Sequence, residues 1–341
     1  MNKPKFYIGI DIAADDFSVS FLVNPQEQIL TKECIPNNFV GFDELLIWLN
    51  SFGVVPGESI ICLEATGVYA EALCHFLHSQ QFPICIESPL KVKRAFETSG
   101  HKTDAADSRQ IAEYAYRFCD ELKPWAPPQI VVDKIKQLLS AREQLVRQST
   151  ASKNALKVIE RSVVQDPTAL NVFHSHLDQI KKHIQTIEKE IQKHLKSNPD
   201  LHQKTLLLIS VPGISFLLVA HLTVFSDAFS KPLNYKSMAA FFGICPLKYQ
   251  SGSSVYKPPK SRQYGPSMIR KILYLASLSI ATHNRTFRTY YLRKVNEGKS
   301  KKLVLNNVAN KLLKLICALL KSNKSFIKNY QSVNPMCLIN T

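Results

Sequence analysis

None of the eight cysteines, at positions 34, 62, 74, 85, 119, 245, 317 and 337, stands in a CxxC pair, and no Cys/His cluster has zinc-site spacing. This excludes a zinc module and gives no sign of a disulfide framework. Scattered reduced thiols suit a cytoplasmic protein. Nothing resembles a signal peptide, because the N-terminus begins polar and runs into a strand. A membrane-length apolar run is also missing. The longest candidate, Leu206 to Phe225, is broken by Pro212-Gly213 and carries His221, so it reads as core and no membrane is expected as a partner. There is no internal repeat and no low-complexity tract. With 45% hydrophobic and 21% charged residues over 341 positions, the chain is globular and long enough for two or three domains.

The charge is unevenly placed. Residues 1–120 hold 9 Lys+Arg against 16 Asp+Glu, a net of −7, while residues 121–341 hold 34 against 11, a net of +23. An acidic front and a basic back fit a metal site joined to a polyanion-binding surface. The plainer reading is a solvated basic surface with no partner.

Short β-branched or aromatic runs at 5–11, 16–23 and 28–35 predict three consecutive strands. Helical spacing follows over 39–49, a buried strand over 59–63, a helix over 69–77, a strand over 83–86 and a helix over 104–118. The order βββαβαβα is that of an α/β ribonuclease H-like domain, assigned to residues 1–125. Three prolines between Lys123 and Pro128 mark a linker. Two long helices then form a coiled-coil hairpin over 126–200. Its second helix carries Leu170, Phe173, Leu177, Ile180, Ile184, Ile187 and Ile191 at alternating spacings of three and four, and Asp166-Pro167 separates the two. The hairpin either packs on itself alone or pairs with another protomer. Residues 201–341 read as a mostly helical domain, with a tight turn at Val211-Pro212-Gly213-Ile214, a polar loop with four prolines over 246–266, and a basic amphipathic helix over 301–320. The Pro-Gly turn is either structural or an approach to phosphates through backbone N–H groups.

Two constellations carry chemistry. Asp11 ends the first strand and Glu64 the fourth, just before Gly67, while Asp104 and Asp107 share the first turn of one helix. Carboxylates at strand ends are poorly placed for packing. Adjacent anions repel unless a cation separates them, and Mg²⁺ suits such a set because it completes its shell with water and phosphate oxygens. The second is Gln250-Ser251-Gly252-Ser253-Ser254, followed by Lys257, Lys260, Arg262 and Arg270 as candidate phosphate contacts. A Ser beside Gly can expose its hydroxyl, which stays a weak nucleophile until a base, cation or metal activates it. By itself such a segment is usually only a loop.

Gly9-Ile10-Asp11, Glu64-Ala65-Thr66-Gly67-Val68-Tyr69 and Lys102-Thr103-Asp104-Ala105-Ala106-Asp107 resemble the three blocks of the DEDD-type insertion-sequence transposases, recombinases that members of the family guide with a structured "bridge" RNA. Val211-Pro212-Gly213, Gly243-x-x-Pro246, Ser251-Gly252 and Gly265 through Arg270 to Leu273 resemble that family's C-terminal transposase domain, so the resemblance spans nearly the whole chain. It implies a RuvC-like first domain, Mg²⁺ held by Asp11, Glu64, Asp104 and Asp107, and a serine nucleophile at Ser251 that forms a phosphoserine link to DNA. Four positions depart from the pattern: Ser108 where Ala is usual, Ser215 where a second Gly would complete the turn, and Gln263 and Pro266 where Lys and Asn are usual.

The expected activity is therefore DNA cutting and rejoining in a mobile element, with donor and target DNA, a bridge RNA and a homo-oligomer, dimer or tetramer, as partners. Two other readings remain. One is a metal-dependent RuvC-like nuclease or junction resolvase that acts by hydrolysis, with Ser251 structural. The other is a non-catalytic nucleic-acid binder built on a decayed transposase, against which the four intact acids argue.

Overall fold

The computed structural model describes residues 4–23, 29–65, 67–96, 104–230, 233–251, 255–261 and 265–327, with the backbone alone for 246–251 and 255–260. Internal contacts divide the chain into two compact units, residues 1–127 and 128–341.

The first unit is a five-stranded mixed sheet with helices on both faces. Its strands are β1 (Phe6–Ile12), β2 (Asp16–Leu22), β3 (Leu30–Pro36), β4 (Ser59–Glu64) and β5 (Ile84–Glu87), in the spatial order β3-β2-β1-β4-β5. β1 pairs antiparallel with β2 and parallel with β4, and β4 pairs parallel with β5. This is the ribonuclease H-like arrangement, and each strand lies within two residues of its predicted place. One face carries α1 (Phe39–Ser51) and α2 (Glu71–Ser79) over a core that includes Ile8, Ile10, Phe17, Phe21, Phe42 and Leu45. Asn38 caps α1 by accepting from the Gly41 N–H. The other face carries α3 (Pro89–Ala95) and α4 (Asp104–Arg117), with Tyr7, Cys62, Val92, Ile111 and Tyr114 between. The stretch read as a linker begins on the sheet, since Pro124 bridges Cys85 and Trp125 N–H donates to Ile84 O at 2.6 Å.

The second unit opens with α5 (Ile130–Glu160) and α6 (Pro167–Lys196), the predicted hairpin. Asp166 caps α6 through the N–H groups of Thr168 and Ala169, with Pro167 in the first helical position. Arg142 and Glu188 tie the two helices at 2.7 Å. Ile135, Leu139, Ile191 and Leu195, at the base, enter the unit's main core, while Val158, Val163, Val164 and Val172 near the tip stay exposed. Then come α7 (Pro199–Ile209), α8 (Phe216–Ser226), α9 (Tyr235–Phe241), the hairpin of β6 (Pro246–Ser251) and β7 (Val255–Ser261), α10 (Ser267–His283), α11 (Arg285–Asn296) and α12 (Lys301–Ser322). Residues 246–261 thus pair as strands where the sequence predicts a loop. Pro246 stands at a strand end, where the missing N–H matters least. α12 is long and apolar enough to cross a membrane by composition, yet its stripe of Val304, Val308, Leu312 and Ile316 is fully buried in this unit's core.

The Pro-Gly turn is a packing device. Gly213 adopts φ +92°, and a Cβ there would lie 3.0 Å from Ala276 O and Ile280 N on α10. Ser215, one of the departures, caps α8 by accepting from the Leu218 N–H.

Candidate active site

Gly9 positions the site. A Cβ on it would lie 2.2 Å from Ala112 N and 2.3 Å from Ser108 O, so α4 rests directly on the backbone of β1. Farther along, Tyr116 of α4 meets Tyr7 of β1 edge-on, with ring centroids 5.1 Å apart. The helix therefore runs antiparallel to β1, and its first turn, with Asp104 and Asp107, overhangs the carboxyl end of the strand.

Side chains alternate along a strand, so Asp11 faces α4 as Gly9 does, while Ile8 and Ile10 enter the opposite core. Ile10 pairs with Leu63, which sets Asp11 beside Glu64 at the end of the neighbouring parallel strand. Asp11, Glu64 and Asp107 are half-buried and Asp104 is exposed. All four acids thus gather at one edge of the unit, although they come from three segments of sequence.

Glu87 was missed by the sequence reading. It pairs with Glu64 across the β4–β5 ladder, so it belongs to the same row, and it is buried at 8% exposure. Its carboxylate is held by the Lys91 ammonium at 2.9 Å, an interaction that raises the lysine pKa. The available signal was its place as an acid at a strand end, the pattern that marked Glu64.

Ser108 also explains itself. Its hydroxyl donates to Ala105 O at 3.1 Å and lies 2.8 Å from Ser20 Oγ, which lies 2.9 Å from Thr31 Oγ1, which accepts from Arg109 Nε at 2.9 Å. One proton direction, Arg109 to Thr31 to Ser20 to Ser108 to Ala105, satisfies the whole chain. It fastens the start of α4 to β2 and β3 next to the acids.

Among the described residues no three His, Cys, Asp or Glu side chains form a group that could hold a metal ion. The donor set still fits Mg²⁺, which takes hard oxygen ligands and is commonly held by one or two carboxylates, with water and substrate phosphates filling the rest. A closed protein cage is not its usual site.

The second constellation belongs to the second unit. Ser251 is the last residue of β6, paired with Val255, and belongs to the second compact unit, whereas every one of the four acids belongs to the first. Lys257 and Lys260 lie on β7, and Arg262 lies outside the described residues. Arg270 donates to Gly265 O at 2.9 Å and Phe242 O at 3.3 Å, holding the chain around Gly265, at which a Cβ would strike Phe241 O.

Residues 8–165 match a DEDD transposase family model of the IS110 kind, described as "Transposase". Residues 206–292 match a second, described as "Transposase IS116/IS110/IS902 family". The chain is also 28% identical, over 331 residues, to the "Pilin gene-inverting protein" of Moraxella lacunata and to that of Moraxella bovis, covering 95% of this chain and 98% of each relative. These matches correct one expectation. They are matches to DEDD transposases of the IS110/IS116 type and to pilin gene-inverting proteins, and not to a serine recombinase with phosphoserine chemistry. The chemical reason is that a serine hydroxyl stays a weak nucleophile until a base, cation or metal activates it, whereas a metal-bound water is itself the nucleophile in a DEDD-type site. The hydrolytic, metal-dependent reading takes its place. Transposases of this DEDD, RuvC-like kind depend in general on a metal ion, and with two transposase family models matching it over residues 8–165 and 206–292, this chain is an enzyme of the transposase and recombinase class that acts on DNA.

Proposed function

We propose that this enzyme cuts DNA by metal-dependent hydrolysis, with Asp11, Glu64, Asp104 and Asp107 holding Mg²⁺ at the carboxyl end of the sheet. The observation that carries this is the β1–β4 register, which sets Asp11 beside Glu64, with the first turn of α4 and its Asp104 and Asp107 over the same end of a ribonuclease H-like sheet. Bound there, Mg²⁺ would supply Lewis-acid polarisation of the phosphodiester and a more acidic water. The chain's part is placement. Asp11 and Glu64 are fixed by adjacent strands, and the seat of α4 on Gly9 fixes the helix that carries Asp104 and Asp107. Water attacks phosphorus, the bond to the leaving strand's oxygen breaks, and that oxygen departs with a proton.

In this reading residues 1–125 form the catalytic domain, 126–200 a helical hairpin that joins protomers, and 201–341 the part that holds DNA. Lys257, Lys260, Arg262 and Arg270 are its phosphate-side residues. A homo-oligomer follows from the need for two cuts in any strand exchange, and a guide RNA from the resemblance in the sequence blocks. The enzyme would work in the cytoplasm. The names of the pilin-inverting relatives support rearrangement of DNA as the outcome.

The test uses full-length protein with supercoiled plasmid and with a four-way DNA junction, in Mg²⁺ or EDTA. Cutting should need Mg²⁺, vanish in Glu64→Ala and Asp107→Ala, persist in Ser251→Ala, and leave free DNA ends. Wild-type cutting by Glu64→Ala, or a protein–DNA adduct that survives SDS, would overturn the proposal.

A further inference from the structure

The most uncompensated charge in the molecule lies in the second unit. From Ala228 to Thr341 the chain holds 20 Lys+Arg and a single acid, Glu297. Glu297 is spent on Lys294 at 2.6 Å and Arg293 at 3.8 Å. Between α11 and α12 a cleft of about 960 Å³ opens, with Arg285, Arg293, Lys311 and Lys314 in its walls and no acidic residue. A second cavity of about 530 Å³ shares Thr286, Phe287, Leu315 and Ala318 with it and continues the cleft to Lys324.

We propose that this cleft is a docking groove for the phosphate backbone of duplex DNA. All four wall cations are exposed, so they cost little to desolvate; Arg293 also reaches Glu297 at 3.8 Å, and no acid lines the cleft itself. They are also organised. Tyr290, half-buried in the floor, has Lys311 Nζ 4.6 Å from its ring centroid and the Arg293 guanidinium carbon at 5.8 Å, while Lys314 Nζ lies 5.9 Å from the ring of Tyr235. The rings hold the cations in place without neutralising them. Four like charges around one cleft repel, and a row of phosphates relieves that repulsion while releasing the DNA's own counterions. The groove's apolar floor of Phe287, Leu315 and Ala318 offers nothing that reads bases, so contact with the backbone alone is expected.

The inference rests on the reading that the enzyme acts on DNA, but its test needs no cutting. Binding of full-length protein to a 30-bp duplex of arbitrary sequence is followed by fluorescence anisotropy in EDTA across salt concentrations. Lys311→Gln/Lys314→Gln should weaken binding roughly tenfold per lost contact at 0.1 M salt and flatten the log–log salt slope by about 1.8. Arg285→Gln/Arg293→Gln should behave alike, both with an unchanged melting temperature. Lys181→Gln/Lys182→Gln, an equal charge change on exposed residues of α6, should have a smaller effect on both. Cleft variants that match this control would overturn the proposal, and so would a loss seen with RNA but not with duplex DNA. The EDTA condition keeps the outcome separate from the metal site, whose failure would leave the binding result intact.

Discussion

Replacing Gly9 by Ala tests whether α4 must lie on bare backbone for the acids to meet. The added methyl would stand 2.2 Å from Ala112 N, 2.3 Å from Ser108 O and 2.8 Å from the Ile111 carbonyl carbon, all backbone atoms of one helix. Ordinary contact begins near 3.4 Å. No rotamer change relieves this, so α4 has to lift by about 1 Å or β1 has to bend. Overpacking of this sort costs about 1–3 kcal/mol. For a unit of this size that is a fall of roughly 4–12 °C in melting temperature. The larger effect should be on cutting, because Asp104 and Asp107 ride on the displaced helix while Asp11 and Glu64 stay with the sheet. A misplacement of about 1 Å in a positioned site can cost on the order of 100-fold in rate. The assay is Mg²⁺-dependent plasmid cleavage beside thermal unfolding. A Gly9→Ala protein that melts and cuts like the wild type would refute both the seating of α4 and the claim that it sets the acids.

Ser108→Ala would leave the fully buried Ser20 hydroxyl without its acceptor and should cost about 1–2 kcal/mol in urea unfolding, with activity reduced less than in Gly9→Ala. An unchanged midpoint would show that the hydroxyl chain contributes nothing. His221 makes stability depend on pH: burial pushes its pKa down to about 4, Arg142 adds to this and Glu143 opposes it. The unfolded chain binds that proton more readily, so the contribution is complete above about pH 6.5, is lost as pH falls from there to about 4, and amounts to at most about 3 kcal/mol. His221→Phe should flatten that part of the pH–stability curve, and an identical slope would remove His221 as its cause. Ile180→Lys/Ile184→Lys/Ile187→Lys should give smaller particles in light scattering or insoluble protein. A soluble variant of unchanged mass would show that the α6 seam neither joins protomers nor packs a core.

The alternation of apolar residues decided much of the first unit. Runs such as KFYIGID and SIICL have few other stable placements, and βββαβαβα order leaves few topologies once connections stay short and right-handed. Asp11 and Glu64 stood out because a carboxylate at the end of a buried strand has no packing role, and Asp104 and Asp107 because they share the first turn of one helix. The hairpin was legible from its three-four spacing and from Asp166-Pro167, which does cap α6. The β6–β7 hairpin was not, because four prolines and few apolar residues over 246–266 look like a loop, and pairing across a ladder leaves no mark on spacing. Ser251 shows the complementary limit. A Ser-Gly pair in sequence says nothing about what stands near the hydroxyl.

Local pattern therefore determined most of the elements, though not the β6–β7 hairpin, and the charge asymmetry. Tertiary structure decided which groups meet: that Glu87 joins the row of Asp11 and Glu64, that Gly9 lets α4 bring two acids to the sheet, and that four cations from two helices line one cleft. The reason is that side-chain periodicity is set by a few neighbouring residues, whereas register between strands and the seat of a helix on a sheet are set by contacts between segments 50 to 100 residues apart, as in Ser20 with Ser108.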